Sequence, residues 1–209
     1  MRISKLLAAL FGLSLFFSSC RKDNMPEDGA QSFQAPPVYT SIQRSAVNFP
    51  ESFENGSKGS YAAADVTLTT GSWNLNDALI GSTTSDRKNG TKSVRIQNSG
   101  IITMNFDVVD GASSVSVFYA KYGTDANSTF EIWASTNAGS TWQQVGNPVT
   151  ASSTTLTQVS FNTAYSGNVR FQLRKTSGGR LNIDDFVIQD NSSTPTLDDN
   201  MGMGNPSAA

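Results

Sequence analysis

The residues that carry most enzyme chemistry are nearly missing from this chain. Its 209 residues contain no histidine and a single cysteine, Cys20, beside 15 basic and 17 acidic residues. Without an imidazole this chain cannot form a Ser-His-Asp triad, a histidine general base or a histidine metal ligand. Carboxylate, lysine and tyrosine chemistry stays open, but no paired-carboxylate or lysine motif is evident. The sequence therefore predicts a protein without catalytic machinery.

The cysteine lies in a pattern typical of an export signal. Two basic residues precede an apolar run over residues 6–17, and two serines come directly before Cys20. About 12 apolar residues are too few to cross a hydrocarbon core but suit a signal peptide. Small residues before a cysteine resemble a lipobox. We expect residues 1–19 to be a lipoprotein signal peptide, Cys20 to be lipidated, and the mature protein to be anchored to the membrane at the cell envelope, in the outer membrane or at the cell surface. An ordinary secretory peptide with a free thiol is the alternative.

Removal of residues 1–19 takes away two basic residues and no acidic one, so the mature chain has a net charge of −4. The chain is therefore not a polycation that would bind nucleic acid through charge alone. With one cysteine there is no disulfide, and the domain depends on its core.

Short segments that alternate apolar and polar residues run through the middle of the chain. They are residues 66–69, 93–97, 101–108, 114–119, 129–133, 157–161, 168–174 and 181–188. Period-2 alternation indicates half-buried strands, and no window shows a helical stripe. The sequence predicts an all-β fold, an antiparallel β-sandwich of the jelly-roll type.

The segments on either side differ in composition. Residues 20–48 contain three prolines and no apolar periodicity, which predicts a flexible tether from Cys20. We place the sandwich over residues 49–190. Residues 191–209 are interpreted as a linker and the start of a missing C-terminal domain.

One hairpin has a recognisable turn. Residues 135–142 have the spacing of an Asp-box, Ser-x-Asp-x-Gly-x-Thr-Trp, with Asn137 in place of aspartate. Asn137 can bond the backbone two residues on, Gly139 allows a positive φ, and Trp142 can pack back on the following strand. The box occurs once, which favours a structural turn.

Several motifs together resemble a family. They are residues 51–56 (ESFENG), 71–78 (GSWNLNDA), 86–93 (DRKNGTKS), 120–123 (AKYG) and 182–186 (NIDDF). This set resembles the N-terminal jelly-roll module, similar to MAM-like and cleaved-adhesin domains, of bacterial lipoprotein DNA/RNA non-specific endonucleases. The resemblance implies an accessory role in adhesion or targeting.

The C-terminal tail extends the resemblance. Residues 197–208 resemble the segment with which the nuclease domain of those proteins begins. The family's Asp-Arg-Gly-His motif and its Mg²⁺-binding asparagine are missing. We therefore expect no nuclease activity from this chain, whether it acts alone or is a fragment of a parent endonuclease.

Three carboxylates are candidates for a metal site. Terminal strands of a jelly roll lie side by side, which would bring Glu54 close to Asp184 and Asp185. In related jelly rolls, acidic residues at the positions of Glu54 and Asp185 resemble Ca²⁺ ligands, and oxygen ligands suit this ion. The sequence therefore leaves two interpretations open: a structural calcium site, or carboxylates that cap backbone N–H groups or pair with Arg180, and the second is slightly favoured.

Alternation also predicts a basic surface. If Val169, Phe171 and Leu173 face the core, Arg170 and Arg174 face outward. Arg95 would lie beside them if the two strands are neighbours. Such a patch could contact the phosphates of a nucleic acid, although the negative net charge favours a solvated sheet face.

A polysaccharide is the other ligand that the sequence suggests. Planar aromatics on a jelly-roll face can stack on sugar rings, and Trp73, Phe118, Tyr122 and Trp133 are the candidates, although most strand aromatics belong to the core. The sequence thus predicts a non-catalytic, lipid-anchored module for adhesion or targeting, with a free-standing carbohydrate-binding lipoprotein as the alternative.

Overall fold

Ten antiparallel strands and no helix make up the part of the chain that the structure describes. The computed structural model describes residues 39–197, with the side chains of residues 45–191. The strands are β1 (Tyr39–Ser45), β2 (Ala64–Thr67), β3 (Ser72–Gly81), β4 (Ser93–Met104), β5 (Ala112–Lys121), β6 (Ser128–Ser135), β7 (Gln143–Ala151), β8 (Thr157–Tyr165), β9 (Arg170–Gly178) and β10 (Leu181–Leu197). The predicted all-β jelly-roll sandwich is confirmed.

The strands form two layers that share β3 and β4. One layer has the order β8-β5-β10 and continues into the first half of β4, whereas the other has the order β7-β6-β9 and continues into its second half. Within β4, Val94–Ile96 pair with β10 and Ile101–Thr103 pair with β9. β4 therefore belongs to both layers, and β3 pairs with it along both halves.

The bend in β4 depends on a glycine and on two residues with a left-handed backbone conformation. A Cβ on Gly100 would lie 2.7 Å from the carbonyl oxygen of Asp77 and 2.8 Å from that of Asn76, so only glycine fits against β3. Asp77 and Asn98 adopt φ values of 49° and 47°. The Asp77 carboxylate accepts hydrogen bonds from Gln97 at 3.1 Å and Asn98 at 3.3 Å, which ties the bend in β4 to the register shift in β3.

The core fills the space between the layers. Alternation turns apolar residues of each strand inward, including Val115, Val117, Ile183, Phe130, Ile132, Phe171 and Leu173. Aromatic rings connect the layers: Phe186 of β10 lies 5.3 Å from Trp73 and 6.4 Å from Phe171 between centroids. Tyr119 of β5 lies 5.2 Å from Phe130 of β6.

The sheet extends beyond the predicted domain bounds of 49 and 190. β1 lies inside the segment predicted as a tether and pairs with β10, which continues to Leu197. The sequence of these ends shows little apolar alternation, which is why residues 39–45 were predicted as part of a tether. The predicted signal peptide, Cys20 and the end of the predicted linker lie outside the described residues.

The bend predicts that replacing Gly100 with alanine destabilises the fold, whereas the same change at Gly59 does not. Gly100→Ala should lower the free energy of unfolding by about 1–3 kcal/mol, because the added methyl group meets two backbone carbonyls that cannot rotate away. Gly59→Ala is the matched control, since nothing lies within 4 Å of its Cβ position. Urea denaturation measures both. Equal stabilities of the two variants would contradict the packing described for β4.

Candidate functional site

The outer faces of the two layers differ. The face formed by β4 and β10 lies under residues 82–92, the covering loop, which connects β3 to β4. Asn182 of β10 is fully buried beneath this loop. Its side chain accepts a hydrogen bond from the Arg87 backbone N–H at 3.0 Å and donates to Asp86 at 3.0 Å and Ser93 at 3.1 Å. The loop is thereby fastened to the sheet.

An ion pair holds the start of the covering loop. Arg95 of β4 donates to the buried Asp86 carboxylate at 2.6 Å and 2.8 Å. Burial alone would raise the pKa of Asp86, but hydrogen bonds from Arg95, Asn182 and Thr83 hold it at about 2. The pair is a two-point contact, which is the stronger geometry for an arginine and a carboxylate.

Three carboxylates hold the end of the covering loop. Glu54 accepts hydrogen bonds from the backbone N–H groups of Thr91 at 2.8 Å and Lys92 at 2.9 Å, and also from the Thr91 hydroxyl. Asp184 accepts from the Asn89 backbone N–H at 2.7 Å, and Asp185 accepts from the Asn89 side chain at 2.9 Å. Burial, with some repulsion from Asp185 and Glu54, raises the pKa of Asp184 to about 7.

These contacts agree with the alternative to a calcium site, in which the carboxylates accept hydrogen bonds from the protein itself. Each of the three carboxylates accepts hydrogen bonds from the loop, and Arg180 pairs with Asp125 at 2.7 Å instead of with Asp184 or Asp185. Among residues 39–197, no group of three or more acidic, cysteine or histidine side chains has an arrangement that could hold a metal ion. Calcium binding by Glu54, Asp184 and Asp185 stays a prediction.

The outer face of the other layer carries a cluster of aromatic, charged and amide side chains. On β6 and β9 the outward residues include Glu131, Trp133, Gln172 and Arg174, and we call these four with Trp142 the platform. The Arg174 guanidinium lies 4.1 Å from the centre of the Trp133 ring and 5.9 Å from that of Trp142. Both tryptophans are half-buried. Two indoles and a guanidinium thus form one amphipathic surface.

Hydrogen bonds fix the platform. The Trp133 indole N–H donates to Glu131 at 2.8 Å, and Arg174 donates to Gln172 at 2.8 Å. β6 and β9 place Trp133 opposite Gln172 and Glu131 opposite Arg174. Burial lowers the pKa of Arg174, while Glu131 favours its charged form. The side chains are therefore held in place before any ligand arrives.

The Asp-box-like turn positions Trp142. The Asn137 side-chain oxygen accepts from the Thr141 backbone N–H at 2.9 Å, and the Ser135 hydroxyl accepts from the Gly139 N–H at 2.9 Å. Gly139 has φ 86°. Asn137 thus bonds the backbone four residues on, and not two residues on as predicted, because Ser135 takes the Gly139 N–H. The turn brings Trp142 to the edge of the platform. Sequence reasoning did not include Trp142 among the ligand candidates, although its motif names a tryptophan at this position.

The three arginines of the predicted basic surface face outward, but the structure does not group them. β4 and β9 are neighbours only over the second half of β4, and Arg95 lies in the first half, opposite Asn182. Arg170 pairs with Asp107 at 2.5 Å. Of the three, only Arg174 forms no ion pair.

The aromatic residues that were predicted to bind sugar also lie in different parts of the structure. Trp73 is fully buried between Phe53, Phe106 and Phe186 and donates to Thr70 at 2.9 Å, so its assignment as a ligand residue is wrong. The alternation in residues 72–76 places Trp73 on the same apolar face as Leu75, and that signal indicated burial of the indole. Tyr122 lies between two guanidiniums, 4.5 Å from that of Arg95 and 4.0 Å from that of Arg180. Trp133 alone of these three contributes to the platform.

Comparison with solved structures finds similar β-sandwiches. The xylan-binding CBM22-1 domain of Xyn10C from Paenibacillus barcinonensis is 12% identical, with a TM-score of 0.49 over 74% of this chain and 100% of that domain. TmCBM61, solved with β-1,4-galactotriose, is 15% identical, with a TM-score of 0.46 over 70% of this chain and 99% of that one. The K2 cleaved adhesin domain of Lys-gingipain is 13% identical, with a TM-score of 0.48 over 67% of this chain and 96% of that one.

These likenesses concern the fold only. No protein-family model and no curated protein sequence matches the chain. Within residues 39–197 no helix is long and apolar enough to span a membrane.

The buried Asp184 predicts a pH dependence. Its pKa of about 7 in the folded protein lies above the ordinary value of 3.8, so the folded state binds this proton more tightly than the unfolded state. The free energy of unfolding should fall as pH rises from 4 to 7, by up to about 1.4 kcal/mol per pH unit, and level off above. Asp86, whose pKa is held at about 2, contributes a slope of the opposite sign, which fades above about pH 5, where this group is ionised in both states. Asp184→Asn should flatten this slope in urea denaturation.

Asp65→Asn is the control, since Asp65 is exposed and hydrogen bonds lower its pKa. An unchanged slope in Asp184→Asn would show that the carboxyl group is not protonated in the folded state. Millimolar CaCl₂ in the same assay tests the calcium prediction: a stabilisation that Asp185→Ala abolishes would support it, and no stabilisation would remove it.

Proposed function

We propose that this chain is a non-catalytic module that binds polysaccharide through the platform on β6 and β9. The observation that carries the proposal is the Arg174 guanidinium held 4.1 Å from the Trp133 ring, with Trp142 beside it, on an outer face that the covering loop leaves free. This is a fixed amphipathic surface on a rigid sheet.

The chemistry of the platform suits a sugar chain. Pyranose rings present apolar C–H faces that stack on indoles, and their hydroxyl groups need hydrogen-bond partners at the edge. Arg174 and Gln172 supply donors there, and Glu131 and Gln172 supply acceptors. Because these side chains already bond each other, little side-chain ordering would oppose binding.

The platform does not offer the means to cleave such a ligand. Glycoside hydrolysis usually needs two carboxyl groups about 5–10 Å apart. Glu131 is the one carboxylate of the platform, and it accepts the Trp133 indole N–H. We infer that the chain holds its ligand without transforming it.

Nucleic-acid binding has weaker support. Asp86 neutralises Arg95 and Asp107 neutralises Arg170, which leaves Arg174 as the unpaired cation of the predicted basic surface. Phosphate recognition depends on several free cations. The link to endonucleases, whether as accessory module or as fragment, stays a prediction, and so does the lipid anchor at Cys20 in the cell envelope.

Removal of the central indole tests the site. Trp133→Ala should weaken binding to a soluble polysaccharide at least about tenfold, because it removes the stacking surface for the sugar and the support of Arg174. Affinity electrophoresis across a panel of xylan, galactan, glucan and mannan, followed by calorimetry with the best ligand, measures the loss.

Tyr122→Ala is the matched aromatic control, since Tyr122 contacts Arg95 and Arg180 away from the platform. Loss of binding in Tyr122→Ala with retention in Trp133→Ala would move the site to the other face. Binding that falls steeply with salt, to DNA as well as to glycans, would favour the nucleic-acid alternative.

The anchor is tested separately. Cys20→Ala should block lipidation and signal removal, because the thiol is the acyl acceptor. Expression in a bacterial host with a labelled fatty acid, followed by detergent phase partition, should place label and mature wild-type protein in the detergent phase. An unlabelled wild-type protein in the aqueous phase would refute the lipoprotein assignment.

A further inference from the structure

Among residues 45–191, whose side chains the structure describes, Arg87 is the one arginine whose guanidinium has no partner. Arg95, Arg170 and Arg180 each pair with an aspartate, and Arg174 bonds Gln172 and contacts Trp133. Within the described residues, the Nε of Arg87 is also the one buried side-chain nitrogen or oxygen without a hydrogen-bond partner. A shielded donor left unbonded costs free energy, so native proteins rarely keep one without a reason.

The surroundings of Arg87 are rigid. Its backbone N–H donates to Asn182, the preceding Asp86 is held by Arg95, and the following Lys88 donates to the carbonyl oxygens of Thr83 at 2.8 Å and Asp86 at 3.3 Å. Asn89 is held by Asp184. The loop is thus fastened at the residues on both sides of an arginine whose side chain is left free.

The free side chain lines a groove. The groove has a volume of about 460 Å³ and lies between the covering loop and the connection from β7 to β8; Asp86, Arg87, Lys88, Gly90, Thr154 and Leu156 line it. Arg95 already neutralises Asp86. Lys88 bonds only carbonyl groups, which leave its charge in place. The groove therefore has two cations without an ion pair and one acid that is paired with Arg95. The Glu54 carboxylate, next to Gly90, is bound by Thr91 and Lys92.

We propose that this groove binds an oxyanion, the carboxylate or sulfate group of an acidic sugar or the free anion itself, with Arg87 as its main ligand. The Nε–H and one terminal N–H of a guanidinium form a fork that matches two oxygens of such a group. The anion would give the shielded Nε its missing acceptor, and Lys88 would add charge. This site is separate from the platform and does not depend on it.

The test uses the mature protein at constant ionic strength, so that general screening does not change during the titration. Sodium glucuronate, sodium sulfate and, as the neutral analogue, glucose are titrated while the Arg87 side-chain N–H is followed by NMR. Saturable shifts with glucuronate or sulfate and none with glucose are expected. Tighter binding of glucuronate than of sulfate identifies a sugar acid, and equal or tighter sulfate binding identifies an anion site without sugar selectivity.

Three variants decide whether Arg87 is the ligand. Arg87→Gln should weaken anion binding at least about tenfold with little change in melting temperature, because the side chain makes no hydrogen bond in the folded protein. Arg87→Lys keeps the charge but loses the fork and should also bind more weakly than wild type. Arg170→Gln removes the same charge elsewhere and should bind as wild type does.

Three outcomes would overturn the proposal. The first is that no saturable binding occurs up to about 100 mM anion. The second is that Arg87→Gln binds the anion with wild-type affinity. The third is that Arg170→Gln loses as much anion affinity as Arg87→Gln, which would indicate attraction by net charge alone.

Discussion

The arrangement of this domain depends on one strand that belongs to both layers. β4 pairs with β10 through Val94–Ile96 and with β9 through Ile101–Thr103. The turn between these halves requires Gly100, because β3 leaves no room for a side chain there. If β4 ran straight, β9 and β10 would lie in one layer, and Phe171 of β9 could not face Phe186 of β10 at 6.4 Å. The two outer faces would then not exist as separate surfaces.

One outer face is covered by a loop and the other is left exposed, and the polar groups of each face explain the difference. Next to β10, the buried polar groups Asn182 and Asp184 need partners, and the covering loop supplies them through Arg87 and Asn89 backbone N–H groups. On β6 and β9, the outward groups satisfy each other within the sheet, as Trp133 does with Glu131. That face needs no cover and is available to a ligand.

The periodic part of this fold was predictable from the sequence, and the interruptions were not. Alternation placed Val94, Ile96 and Phe171 inside and the intervening arginines outside. It failed at bulges: Asp185, at φ 41°, shifts β10 so that Phe186 instead of Asp185 faces the core. β7 escaped detection because Gly146 and Pro148 interrupt it, which an edge strand tolerates. The contact of Trp133 with Arg174 depends on strand register, and the pairing of Arg95 with Asp86 depends on the conformation of the covering loop. No local pattern encodes either of them.

Binding of the ligand on the platform can be measured directly at the tryptophans. The chain has three tryptophans, Trp73 in the core and Trp133 and Trp142 on the platform. Their indole N–H signals in a ¹⁵N NMR spectrum report separately on the two environments during titration with the best-binding oligosaccharide. If the ligand lies on the platform, two indole signals move and saturate together while that of Trp73 stays. Saturable binding with all three indole signals unmoved would contradict binding on the platform.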